Sequence, residues 1–124
     1  MILALQTSEP TCHVWIDGTE YTWEAGRTLA HGLLAYLETT LANESKTFSD
    51  ITAIVVFRGP GSFTGLRIGI TVVNTIAASE HIPIVGTLGD DWLAVGIKRL
   101  DDGEDDRIVL PEYGGEAHIT LAKK

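Results

Sequence analysis

Two apolar segments of the chain are joined by Arg58-Gly59-Pro60-Gly61-Ser62-Phe63-Thr64-Gly65-Leu66-Arg67-Ile68-Gly69. The segment before it, residues 52–57, is a continuous β-branched run, typical of a strand covered on both faces. Gly59-Pro60-Gly61 cannot extend that strand, and Ser62 or Thr64 can cap a helix that begins between residues 63 and 65. The glycine-rich stretch, residues 58–69, therefore predicts a buried strand, a tight turn and a helix.

A glycine-rich turn that leads into a helix can also bind phosphate, because backbone amides and the helix dipole converge there. The stretch lacks the Gly-Lys-Ser/Thr ending of a P-loop, and the spacing from Gly59 to Gly65 differs by one residue from the dinucleotide pattern. Two interpretations stay open: a structural strand-to-helix turn, and a small nucleotide-binding enzyme that uses the Gly59 to Gly65 loop.

The order of apolar segments predicts an α/β fold. Residues 2–6, 12–16 and 20–24 read as an antiparallel three-strand meander, with Asp17-Gly18 as a hairpin turn. Helices at about residues 26–43 and 64–79, a strand at 82–86 and a short helix at 89–98 follow. This order predicts a mixed sheet with flanking helices, the front half of an actin-like (ribonuclease-H-like) lobe. We expect one lobe over residues 1–99, then an acidic, solvated loop and a hairpin of strands 107–111 and 116–121.

Both long helices have apolar arcs, about 160° and 200° wide, that exceed the roughly 100° needed for one sheet contact. We therefore expect the sheet to cover one side and a second protein the other. Gly65 and Gly69, four residues apart, permit close approach of another backbone, either from the chain's own sheet or from a partner. The predicted interface residues are Leu33, Tyr36, Leu37, Leu66, Ile70 and Val73.

Composition narrows the function. The chain has 124 residues, which suits one domain, and its 17 acidic and 9 basic residues give a net charge of −8. That balance argues against direct binding to a nucleic-acid backbone. No apolar run is long enough to span a membrane, and the first residues lack the basic region of a signal peptide, so we expect a cytoplasmic protein.

No individual side chain gives strong evidence for catalysis or metal binding. Cys12 lies in an apolar strand, where burial should raise its pKa, and it has no second cysteine to pair with. The four histidines lack metal-ligand spacing, and Ser62 and Thr64 have no recognisable Asp-His pair. We predict no catalytic residue, cofactor or metal.

The string GPGSFTGLRIG resembles the TsaB (YeaZ) family, whose members act in tRNA threonylcarbamoyladenosine biosynthesis. Residues 2–8 and 82–86 resemble the family's opening strand and a later strand. A typical member has a second lobe of similar size, so the resemblance implies a shortened form.

Two departures from the family pattern matter. Where members carry Asp-Thr-Ser after the first strand, this chain has Gln6, and an amide is a poorer magnesium ligand than a carboxylate. Where members often carry His-Ser-Glu after an arginine, this chain has Leu29, Ala30 and His31 after Arg27. Contacts made by that triplet, and with them the choice of partner, are therefore open.

The resemblance implies a non-catalytic scaffold that pairs through the two apolar helices with a TsaD-like catalytic subunit. A TsaE-like ATPase and tRNA would be supported there, the tRNA only indirectly. The alternatives are a homodimer that uses the same helices without a role in tRNA modification, and the nucleotide-dependent enzyme described above.

Overall fold

Five strands form one mixed sheet in the computed structural model of the chain, which describes residues 1–112. The strands, in chain order, are β1 (Ile2–Gln6), β2 (Thr11–Ile16), β3 (Thr19–Glu24), β4 (Ala53–Phe57) and β5 (Ile84–Thr87). Their order in the sheet is β3-β2-β1-β4-β5, with antiparallel pairing from β3 to β1 and parallel pairing from β1 to β5. The predicted α/β class and antiparallel meander are confirmed.

Three α-helices cover the sheet: α1 (Leu29–Asn43), α2 (Phe63–Glu80) and α3 (Trp92–Asp101). Short 3₁₀ turns, Gly26–Thr28 and Phe48–Asp50, precede α1 and β4. In the described part of the chain, no helix combines the length and the apolar character needed to cross a membrane.

Helices α1 and α2 lie on one face of the sheet, and α3 lies on the other. Tyr36 of α1 stacks on Trp23 of β3, with ring centroids 4.8 Å apart, and α1 contacts α2. On the other face, Gly96 of α3 packs directly on Val55, where a β-carbon would not fit. Because both faces are covered, every residue of β4 is buried, as residues 52–57 predicted.

The segment after α3 differs from the prediction. Helix α3 continues to Asp101, so the predicted lobe boundary after residue 99 falls inside it. The predicted strand at residues 107–111 is irregular backbone, and the acidic loop is not simply solvated. Asp105 and Asp106 accept hydrogen bonds from the β5 amides of Ile84 and Gly86, which satisfies amides at a sheet edge that pairs with no further strand within residues 1–112. The second predicted strand, residues 116–121, lies outside the described residues.

Candidate interaction surface on helices α1 and α2

The glycine-rich stretch connects β4 to α2 as a tight turn. The Gly59–Pro60 peptide bond is cis, and Gly59 has a φ of 125°, a conformation that residues with a side chain rarely adopt. Ser62 is the N-cap of α2, and its hydroxyl accepts a hydrogen bond from the Gly65 amide at 3.3 Å. Of the two predicted caps, the structure therefore selects Ser62, while Thr64 lies within the first turn.

Three glycines of the stretch are explained by contact with the end of β1. A β-carbon on Gly61 would overlap Ser8, one on Gly65 would overlap the Thr7 carbonyl oxygen, and one on Gly69 would overlap the Thr7 side chain. The Thr7 hydroxyl donates a hydrogen bond to the Gly65 carbonyl at 2.7 Å, and the Ser62 amide donates one to the Ser8 carbonyl at 3.0 Å. The close approach at Gly65 and Gly69 is therefore made by the chain's own backbone and side chains.

A second feature is the cleft at the carboxyl ends of β1, β4 and β5, the usual position of ligands in open α/β sheets. It has a volume of about 440 Å³ and is lined by Gln6, Phe57, Pro60, Gly89, Asp90 and Trp92. Gln6 brings an amide, not a carboxylate, to this cleft. Within residues 1–112, no three or more His, Cys, Asp or Glu side chains are grouped as a metal site.

Cys12 is a core residue, as predicted. It lies on the sheet face that α1 and α2 cover, and burial raises the pKa of its thiol to about 12. A thiol in that environment is not a nucleophile near neutral pH.

The structure places five of the six predicted interface residues in the core of the chain. Leu33, Leu37, Leu66, Ile70 and Val73 are each at most 2% exposed, because they pack into the chain's own core. A side chain with so little exposed surface has almost none left to bury against a partner. The sixth residue, Tyr36, is half-buried on Trp23. The apolar arcs are wide because each helix contacts both the sheet and the other helix.

The outer surface of α1 and α2, meaning the side turned away from the sheet, nevertheless keeps apolar groups in contact with solvent. Leu34 is 52% exposed and Phe63 is 51% exposed. Arg67 lies over the Phe63 ring, with its guanidinium carbon 5.5 Å from the ring centroid. Among the exposed residues of the two helices, only Glu38 and Arg67 are charged. Leu34 is in the predicted apolar arc, at its edge, which is the one signal that could have identified it.

Helices α1 and α2 both begin at the carboxyl ends of the strands that precede them, and these ends lie on the same side because β3 and β4 run in the same direction. A cleft of about 520 Å³ lies between their first turns and is lined by Ser8, Glu9, Pro10, Gly26, Arg27, Leu29, Ser62, Thr64, Gly65 and Ile68. At the triplet positions singled out above, Leu29 is buried, whereas Ala30 and His31 are exposed.

Comparison with known proteins identifies the family. The model of the family described as "TsaD: tRNA N6-adenosine threonylcarbamoyltransferase" matches residues 23–120. The chain is 35% identical over 89 residues to the tRNA threonylcarbamoyladenosine biosynthesis protein TsaB of Escherichia coli K12, covering 68% of this chain and 38% of that protein. TsaB of Haemophilus influenzae is 32% identical over 88 residues, with 68% and 37% covered. The structure "YeaZ from Pseudomonas aeruginosa" matches with a TM-score of 0.64 at 29% identity, covering 82% of this chain and 49% of that one.

An actin-like α/β lobe is thus shared with solved YeaZ structures. The chain belongs to the TsaD family matched above, and its similarity to the TsaB (YeaZ) proteins of tRNA threonylcarbamoyladenosine biosynthesis confirms the predicted resemblance. It spans about two fifths of the length of the two TsaB proteins.

Proposed function

We propose that this chain is a non-catalytic scaffold of the cytoplasmic tRNA threonylcarbamoyladenosine machinery, and that it pairs with a TsaD-like catalytic subunit through the outer surface of α1 and α2. The contact residues are then Leu34, Phe63 and their neighbours on that surface. The buried leucines, isoleucine and valine predicted from the sequence hold the two helices in place. A TsaE-like ATPase and tRNA would join the complex through the paired subunits.

The observation that carries this proposal is the scarcity of charge on the outer surface. The chain has a net charge of −8, yet the exposed positions of α1 and α2 contain one acidic and one basic residue, Glu38 and Arg67. Depletion of charged residues around exposed aromatic and aliphatic groups is the composition that distinguishes protein interfaces from other surfaces. Segment 101–106, by contrast, contains five acidic residues, all of them exposed.

The identity of the partner rests on the family match. The TsaD family model covers residues 23–120, a range that includes α1 and α2. A TsaD-like protein is therefore expected to carry a corresponding pair of helices. Two related helix pairs can pack face to face as a four-helix bundle, in which each buries the same side against the other.

The absence of catalysis is supported by Gln6 and by the glycines. Gln6 brings no carboxylate to the cleft at the strand ends, and Gly61, Gly65 and Gly69 serve contacts with Thr7 and Ser8. Calorimetry with magnesium and ATP on the isolated chain tests the nucleotide-dependent alternative. Heat of binding at micromolar nucleotide would support that alternative and contradict the scaffold proposal.

A homodimer is the competing assembly, because a second copy of the chain offers the same uncharged surface. Light scattering separates the two cases. If the chain self-associates and a TsaD-like protein from the same organism does not disrupt the dimer, the homodimer alternative is favoured.

The contact surface is tested by Leu34→Arg, with Ile97→Arg as the matched control. Both residues are exposed and apolar, but Ile97 lies on α3, on the opposite face of the sheet. We expect Leu34→Arg to weaken binding to the TsaD-like protein by more than about tenfold, since it places a charge in a desolvated contact, and Ile97→Arg to change it by less than about twofold. Equal effects of the two variants would contradict the assignment of the surface.

A further inference from the structure

Residues 105–112, called the strap here, cross the edge of β5 and return to the glycine-rich stretch. The strap has no regular secondary structure, and Val109 is its buried residue, at 3% exposure. Its neighbours Ile108 and Leu110 are 68% and 67% exposed. The strap therefore lies on the surface of the fold with the Val109 side chain turned inward.

Side chains from three elements fasten the strap. Asn74 of α2 makes two hydrogen bonds to the Val109 backbone, donating to its carbonyl at 3.0 Å and accepting from its amide at 2.9 Å. Arg58 donates from Nε to the Leu110 carbonyl at 2.9 Å. Asp106 of the strap accepts a hydrogen bond from the Gly86 amide of β5 and forms an ion pair with Arg99 of α3.

The strap also accounts for two glycines. A β-carbon on Gly59 would overlap the carbonyl oxygen of Glu112, and one on Gly86 would overlap the side chain of Val109. The Glu112 amide donates to the Arg58 carbonyl at 2.7 Å, so the strap meets the start of the glycine-rich stretch along its backbone as well. Both the stretch and β5 are thus shaped to receive it.

We propose that the strap is a fastening device that sets the position of the glycine-rich stretch and of α2, and that Asn74 is a positioning residue for the outer surface of α1 and α2. Most hydrogen bonds between the strap and the rest of the fold involve a side chain, and the strap is not part of a continuous backbone ladder. The strap can therefore detach as a unit while the sheet and helices stay paired. When the strap detaches, Asn74 on the side of α2 loses its bonds to Val109. Arg58, in the turn that precedes α2, loses its bond to Leu110. The link to partner binding rests on the function proposed above.

The experiment compares Asn74→Ala with the control Leu93→Ala. Leu93 is a partly buried residue of α3, on the opposite face of the sheet, and its truncation lowers stability without touching the strap. Hydrogen exchange is measured at the amides of Ser62 and Leu66, which bond to Ser8 and to Ser62. We expect exchange there to be about tenfold faster in Asn74→Ala and close to wild type in Leu93→Ala.

Binding to the TsaD-like protein is the second readout. We expect Asn74→Ala to raise the Kd by at least about fivefold, the lower range of measured couplings between sites, and Leu93→Ala to leave it unchanged. If Asn74→Ala and Leu93→Ala change exchange at Ser62 and Leu66 equally, the strap has no positioning role and the inference is overturned. Failure of the proposed function itself is recognised separately, because Leu34→Arg would then leave binding unchanged whatever the exchange data show.

Discussion

Replacing Gly69 with alanine should destabilise the fold through one neighbour, Thr7. The added β-carbon would lie 2.9 Å from Cγ2 and 3.1 Å from Cβ of Thr7, and closer still to its hydroxyl oxygen. Thr7 is itself buried and its hydroxyl is bonded to the Gly65 carbonyl. Relief of the overlap therefore requires Thr7 to rotate and to give up that hydrogen bond.

The magnitude follows from three contributions. Overpacking a buried site costs about 1–3 kcal/mol, and loss of the Thr7 hydrogen bond costs about 1 kcal/mol. Alanine is favoured over glycine inside a helix by about 1 kcal/mol, which offsets part of this. We expect the free energy of unfolding of Gly69→Ala to fall by about 2 kcal/mol and the Tm by about 8 °C.

The assay is urea denaturation followed by circular dichroism, applied to a double-mutant cycle with Thr7→Ala. Removing the Thr7 hydroxyl and methyl leaves only Cβ near the new methyl group, so Gly69→Ala should cost almost nothing in that background. Gly65→Ala should stay costly there, because its neighbour is the Thr7 carbonyl oxygen, which the substitution retains. Thr71→Ala, an exposed change on the same helix, is the control. Additive effects of Gly69→Ala and Thr7→Ala would show that the cost of Gly69→Ala does not arise from contact with the Thr7 side chain.

Three further outcomes are expected. Burial alone would raise the pKa of Asp106, but hydrogen bonds from Arg99 and the Gly86 amide, and the nearby positive charges, lower it overall. A carboxyl whose pKa is lower in the folded state stabilises the fold above its unfolded pKa, so the contribution of Asp106 should be lost as pH falls below about 4. Denaturation measured from pH 6 to 3 tests this, and an equal loss of stability in Asp106→Asn would contradict the assignment to Asp106. Arg99→Ala should lower the free energy of unfolding by about 1–3 kcal/mol, because Asp106 loses its guanidinium partner, though it keeps the Gly86 amide, and the Gly86 carbonyl loses its hydrogen bond from Arg99. A change below about 0.5 kcal/mol would count against this prediction. Cys12 should react with iodoacetamide at pH 8 only after unfolding, and rapid labelling of the native protein would show that the thiol is accessible.

The elements were predictable because their patterns are local. The β-branched run before Arg58 needs two covered faces, and the three glycine and proline residues after it permit only a turn. The Asp17-Gly18 hairpin follows in the same way, with both residues at positive φ. The cap at Ser62 required the structure only to choose between two candidates.

The candidate site was harder to predict, because an apolar arc does not say what covers it. The sequence shows that Leu66 and Val73 face an apolar neighbour, but not that α1 and the sheet together fill that role. Leu34, at the edge of the arc, is the residue left in solvent. The strap was missed for a related reason, because Ile108, Val109 and Leu110 are typical of a strand. The bonds that hold it instead come from Asn74, 35 positions before Val109, and Arg58, 52 positions before Leu110.

Pairing with a TsaD-like protein through the outer surface of α1 and α2 is best tested by the mass of the complex, measured by light scattering. The purified chain has a mass of 13.4 kDa, and it would be measured alone and after mixing with the TsaD-like protein of the same organism. We expect a one-to-one complex that forms with the wild-type chain and with Ile97→Arg, but not with Leu34→Arg. A mixture in which both proteins keep their separate masses, or a complex that Leu34→Arg leaves intact, would contradict it.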